Sequence, residues 1–172
     1  MKILMKRLEI SKSVTGPLES LLAGTRSKWL RAAPPRPASY ELFSSWPIPE
    51  KDIPHIPTGT QIAETTDPYV VQAKNALGAD SVTNAMVYGP MSCMFWHTNS
   101  DLTGIRTYYT LSLDKSVFKY KDVDTGEIKE DWDDYGWTAR EFEITETNPM
   151  WHSVWTAGRR FSFGFTRQPT SL

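Results

Sequence analysis

"GRRFSFGF", Gly158 to Phe165, reads as a strand with two unlike faces. Side chains alternate sides along an extended chain. Phe161, Phe163 and Phe165 therefore share one face with Arg159, while Arg160, Ser162 and Gly164 share the other. Three phenylalanines on one side belong to a core. The other face carries a guanidinium and a hydroxyl, which can grip one carboxylate together, or can simply face solvent.

Working back from this strand, the last ninety or so residues hold more runs of the same kind. "SVTNAMVYG", "CMFWHT", "RTYYTLSL", "SVFKYKD", "REFEIT" and "MWHSVWT" are short, rich in β-branched or aromatic residues, and separated by Gly, Asn, Asp or Pro. "KDVDTGEIK" has the composition of a hairpin turn. Seven strands at this spacing predict an antiparallel sandwich or jelly roll.

The first third differs. "GPLESLLAGTRSKWLRAA" places Leu18, Leu21, Leu22, Trp29 and Leu30 at helical spacing, with Gly24 as a point of division, and "APPRPAS" ends it. A proline-punctuated crossing follows to about Pro68. "DPYVVQAKNALGA" predicts a short helix opened by Asp67–Pro68 and stopped by Gly78. The chain is expected to form one domain, with residues 1–80 a helical and proline-rich segment packed on a β core at 81–172.

The 172 residues can bury a substantial core, and 40% hydrophobic with 23% charged residues is ordinary for a soluble globular protein. Cys93 is the only cysteine, so neither an internal disulfide nor a cysteine zinc cluster is available. The expectation is a reducing, cytoplasmic setting, with no signal peptide in "MKILMKRLEISKS" and no membrane span. Residues 1–36 carry eight Lys/Arg against two Glu, while Asp114–Glu146 carries eleven acidic against five basic side chains. A basic first segment is usually a solvated face; a docking arm is the sharper alternative.

There are three histidines. His55, in "IPHIP", has no obvious partner and reads as structural or solvated. His97 and His152 lie in strands, in "MFWHTNSD" and "MWHS". A lone strand histidine is commonly a hydrogen-bonded core residue. Here, however, His97, Asn99 and Asp101 alternate, so all three can face one pocket. Two imidazoles and a carboxylate on one face suit non-haem Fe(II) with open coordination positions. Zinc with a bound water remains open for the same ligands.

"VYGPMSCMFWHTNSD", "MWHSV" and "GRRFSFGF" together resemble the core of the Fe(II)/2-oxoglutarate-dependent dioxygenases, nearest to the AlkB-like and prolyl-hydroxylase-like branches. The resemblance covers residues 82 to 167. It implies a double-stranded β-helix, the jelly roll in which an H-x-D/E…H triad holds iron and an Arg-x-Ser pair holds the distal carboxylate of 2-oxoglutarate. His97 and His152 would then be iron ligands, Arg160 and Ser162 would bind 2-oxoglutarate, and Tyr88 would reach the co-substrate. The implied activity is a hydroxylase coupling 2-oxoglutarate decarboxylation to C–H oxidation.

The departure from the family is at residue 99, an Asn where H-x-D requires a carboxylate. Either Asp101 supplies it through a bulge or turn, with Asn99 in a supporting role, or the site has two strong ligands only. The competing readings are a catalytically silent barrel kept for binding or assembly, and a cupin-like or zinc-binding barrel without 2-oxoglutarate.

"EDWDDYGW", Glu130 to Trp137, reads as an acidic aromatic loop between strands. It would repel phosphate backbones, and Arg106, Lys119 and Lys121 form no basic track. A small-molecule or peptide substrate is thus favoured over nucleic acid. Trp96, Trp151 and Trp155 flank the two histidines, where they can line a pocket mouth, though packing is the commoner role for such residues. The sequence does not give the oligomeric state.

Overall fold

The computed structural model describes residues 5–32, 38–45, 59–99 and 103–169. A short strand β1 (Lys6–Leu8) leads into helices α1 (Lys12–Gly24), α2 (Arg26–Leu30) and α3 (Tyr40–Ser44). Strand β2 (Thr60–Gln61) and helix α4 (Pro68–Leu77) follow. The rest is strand: β3 (Ser81–Tyr88), β4 (Ser92–His97), β5 (Gly104–Ser112), β6 (Ser116–Lys121), β7 (Ile128–Asp133), β8 (Gly136–Ile144), β9 (His152–Thr156) and β10 (Arg160–Arg167).

Two antiparallel sheets hold these strands. The larger runs β1-β8-β5-β10-β3-β2 and the smaller β4-β9-β6-β7. From β3 to β10 the chain repeatedly crosses between sheets, so strands adjacent in sequence often lie in opposite layers. This is a jelly roll, mostly β with helices at the N-terminal end, as the alternating runs predict.

Each layer has its own cause. Phe161, Phe163 and Phe165 face outward from the larger sheet and are covered by Val14, Leu18, Leu21, Leu22 and Trp29, with Val70 and Ala73 of α4. Helix α4 starts on the Asp67 carboxylate, which accepts from the Tyr69 and Val70 amides, and ends at Gly78 with φ +74. The predicted first helix is divided at Thr25, one residue beyond Gly24. Between the sheets lie Phe118, Tyr120, Phe142, Ile144, Met150 and Val154. The smaller sheet's outer face packs Cys93, Val117 and Trp155 against Ala38 and Phe43. Burial pushes the Cys93 thiol up to about 11.

Two expectations are corrected here. Glu130–Asp133 is not a loop but part of β7, with only a two-residue turn before Gly136. Trp155 does not line a mouth; its indole donates to the Ala38 carbonyl at 2.9 Å on the outer face. His55 and Asp101 lie outside the described residues. No described helix is long and apolar enough to cross a membrane.

The basic segment is partly tied down. Through β1, Lys6–Leu8 pairs with Glu141–Ala139 of β8. Arg7 crosses to the other sheet, where its guanidinium meets Asp131 at 3.0 Å and Asp133 at 2.8 Å.

Candidate functional site

A cavity of about 520 Å³ lies between the sheets, a volume ordinary for a small-molecule site. His97 and His152 are directly opposed across β4 and β9 and both line it. Their ring centroids are 4.3 Å apart and both are buried.

The reason they converge is a bulge. Met94 pairs with Val154 and His97 with His152, so β4 fits one extra residue into that interval. The bulge turns His97 onto the face that Met94 already occupies, as bulges beside functional sites do. Met94 and His97 both line the cavity, while Trp96 is buried outside its lining.

Each imidazole is also fixed in the same way. His97 Nδ1 lies 2.7 Å from the Phe95 carbonyl oxygen, and His152 Nδ1 lies 2.7 Å from that of Met150. A carbonyl oxygen only accepts, so Nδ1 is the protonated nitrogen in both rings. In the neutral rings Nε2 then carries the lone pair that a metal would use, the usual arrangement of metal-binding histidines. Met150 has φ +62, a left-handed conformation that non-glycine residues adopt at a cost. That strain sits two residues from His152, at the carbonyl that orients it.

Two oriented imidazoles fit a divalent transition metal. Asn99 lines the same cavity and offers an amide oxygen. Among the described residues no group of three His, Cys, Asp or Glu side chains stands together to complete a set.

Arg160, Ser162 and Tyr88 all line the cavity, and Arg160 and Tyr88 are directly paired between β10 and β3. Ser162 is paired with Thr110 across β5. Arg160–Ser162 is thus a buried polar strip, not a solvent-facing one. Burial pushes the Tyr88 hydroxyl up to about 12, which keeps it a neutral donor; it lies 3.9 Å from the Met94 sulfur.

Arg160 already has company. Its Nη1 donates to Ser116 Oγ at 2.5 Å and to Asp133 Oδ2 at 3.2 Å. Asp133 Oδ1 in turn accepts from Arg7 and, at 2.7 Å, from Arg140. Arg140 also reaches Asp131 at 2.7 Å. Burial alone would raise the Asp133 carboxyl, but Arg140, Arg160 and Arg7 outweigh it and hold it below the usual carboxylate range. Burial, reinforced by the Arg140 charge and opposed by Asp133, brings Arg160 down to about 10, still cationic at neutral pH. Three guanidiniums face two carboxylates in this cluster, leaving one positive charge for an incoming anion.

Beneath the site, β3 carries a second bulge. Gly164 pairs with Asn84 and Phe165 with Val82, so Thr83 is the extra residue. Thr83 and Asn84, neighbours in sequence, consequently both line the cavity. Gly164 makes room for them: a Cβ there would run into Thr83 Oγ1, lie 2.7 Å from Asn84 Oδ1 and 2.8 Å from Tyr108 Cε1. Gly164→Ala is expected to cost about 1–3 kcal/mol as an overpacking substitution. Urea unfolding would check it, and an unchanged midpoint would show that the strip has slack.

Sequence reading missed Asp133, Arg140, Thr83, Asn84 and the cavity aromatics Tyr108, Phe118 and Phe142. Asp133 was hidden because its strand has a loop's composition, and Thr83 because strict alternation sends it to the other face. No protein-family model matches the chain, and no curated protein does. Among solved structures the chain is similar to that of a Pseudomonas putida prolyl-4-hydroxylase. The two are 13% identical, over 97% of this chain and 94% of that one, with a TM-score of 0.47.

Proposed function

We propose that the chain is an Fe(II)- and 2-oxoglutarate-dependent oxygenase, a hydroxylase acting on a small-molecule or peptide substrate. The observation that carries this reading is the His97–His152 pair, opposed across two strands, oriented identically by backbone carbonyls and lining one cavity between the sheets. His97 and His152 hold the metal through Nε2. Asp101 is the carboxylate proposed to complete the set, with Asn99 beside it.

When bound, iron and 2-oxoglutarate supply the coupling of decarboxylation to C–H oxidation. Arg160, with Ser162, receives the distal carboxylate, drawing on the uncompensated positive charge around Asp133. Tyr88 offers a neutral hydroxyl beside it. Phe118, Phe142, Val154 and Met94 line the cavity as well, and apolar walls lower the local dielectric and strengthen charged contacts beside them.

The test is an anaerobic visible spectrum of the protein with Fe(II), before and after 2-oxoglutarate. A weak charge-transfer band is expected, and Arg160→Ala should remove it at the same 2-oxoglutarate concentration while metal binding persists. A folded, metal-loaded protein that gives no band would overturn the reading.

Two observations favour a second reading. Asn99 stands where a carboxylate is required, and Arg160 is already engaged by Asp133. A catalytically silent binding barrel has both features. It predicts no band, and indifference of the spectrum to Arg160→Ala.

A further inference from the structure

Arg106, on β5, is buried and lines the cavity. Its Nη1 donates to Tyr108 Oη at 2.9 Å, which fixes the plane of the guanidinium. Its Nε and Nη2 are buried and have no hydrogen-bond partner, and no described carboxylate forms an ion pair with it. These two N–H groups form the guanidinium edge that pairs side-on with both oxygens of a carboxylate. A buried guanidinium with that edge unmatched costs the folded state several kcal/mol. Arg140 and Arg160, by contrast, each meet an aspartate.

Two further unmatched polar atoms line the same cavity, Thr83 Oγ1 and Asn84 Oδ1. Both adjoin Gly164, which is paired with Tyr108, the partner of Arg106. A threonine hydroxyl donates to an anion, and an asparagine amide does so after a half-turn of its terminal torsion. Arg160 lies opposite Ser112 and Arg106 opposite Thr166, so the two backbones are ~20 Å apart along the strands. Arg106 belongs to the His152 end of the barrel: it pairs with Phe142, whose ring centroid is 5.7 Å from that of His152.

The geometry points to Arg106 as a second anion anchor, one that grips the carboxylate of the substrate beside the histidine pair while Arg160 serves the co-substrate. The substrate class is a small carboxylic acid with an apolar body, matching the Phe118 and Phe142 lining. Assigning that acid as substrate rests on the oxygenase reading; the anion site does not.

The 172-residue chain, metal-free and labelled with ¹⁵N-arginine, would be titrated with benzoate at constant ionic strength. The Arg106 Nε–H resonance, assigned by its absence from Arg106→Met, should shift saturably. Calorimetry should show benzoate binding at least ~10-fold weaker in Arg106→Lys, which keeps the charge but loses the fork. Arg106→Met should melt at a higher temperature than the wild type, because an unmatched buried charge is gone.

Saturating 2-oxoglutarate should leave benzoate affinity unchanged. If 2-oxoglutarate instead shifts the Arg106 signal and displaces benzoate, Arg106 serves the co-substrate and the proposal fails. It fails equally if chloride reproduces the shift, or if Arg106→Met lowers the melting temperature. A chain that binds benzoate at Arg106 but never binds 2-oxoglutarate would retain the anion site and lose the oxygenase reading.

Discussion

Asp133→Ala is expected to destabilise the chain by about 3–5 kcal/mol, the range for removing one partner of a buried ion pair. The side chain is fully buried and serves three guanidiniums, those of Arg7, Arg140 and Arg160. Its loss leaves Arg140 and Arg160 buried, with Arg160 stripped of its carboxylate. At this chain length the melting temperature should fall by about 6–20 °C. Chemical denaturation with an unchanged m-value would measure the loss directly. A change below about 1 kcal/mol would mean that water or rearranged arginines replace the carboxylate, and that the cluster does not hold the two sheets together.

The same residue sets an acid limb. The folded carboxyl is held below its unfolded value of 3.8, so its contribution is complete above about pH 4. It is lost as the pH falls through the lower, folded value. In Asp133→Asn that part of the acid destabilisation should be missing. Stability of the variant should therefore fall less steeply than the wild type's below pH 4.

The second large effect concerns metal. His97→Ala and His152→Ala should each weaken Co(II) binding by more than ~10²-fold, beyond the 10–100-fold typical of losing a supporting contact. That corresponds to about 2.8 kcal/mol or more. Cobalt absorption bands followed by titration would report it, with far-ultraviolet circular dichroism to verify the fold. Wild-type affinity in either variant would remove the histidine pair as the metal centre. Phe118 and Phe142 flank the His152 ring with centroids 5.6 and 5.7 Å away, so His152→Ala also opens a space between them. His152→Gln is the better-packed control.

Strict alternation made most of the barrel legible. β10 could be read side chain by side chain because its three phenylalanines and its Arg–Ser strip face opposite ways, and both faces are buried. Helix α4 was legible because Asp67–Pro68 and Gly78 are local signals with local causes. What escaped depended on distant partners. Aspartates disfavour strands, so β7 reads as a loop until Arg7, Arg140 and Arg160 are seen to meet its carboxylates. The bulges in β3 and β4 break the two-residue period and re-aim Thr83 and His97, and no composition marks them. Arg106 drew notice only as a residue that belongs to no basic track, because its burial and its unmatched edge exist only in three dimensions.

The threading of the sheets has a kinetic consequence. Arg7 is tied to Asp131, 124 positions away in the chain, and β3 pairs with β10 near the far end. Such distant pairings must all close before any is secure, which slows a β-rich chain's folding. The histidines come from β4 and β9, neighbours in the sheet yet far apart in the chain. A ribosome-bound chain lacking β9 and β10 holds His97 without its partner His152, and neither the phenylalanine face nor the arginine strip of β10. Paired-histidine metal binding would thus mark barrel closure, giving a clock for folding that no fragment ending before β9 can start.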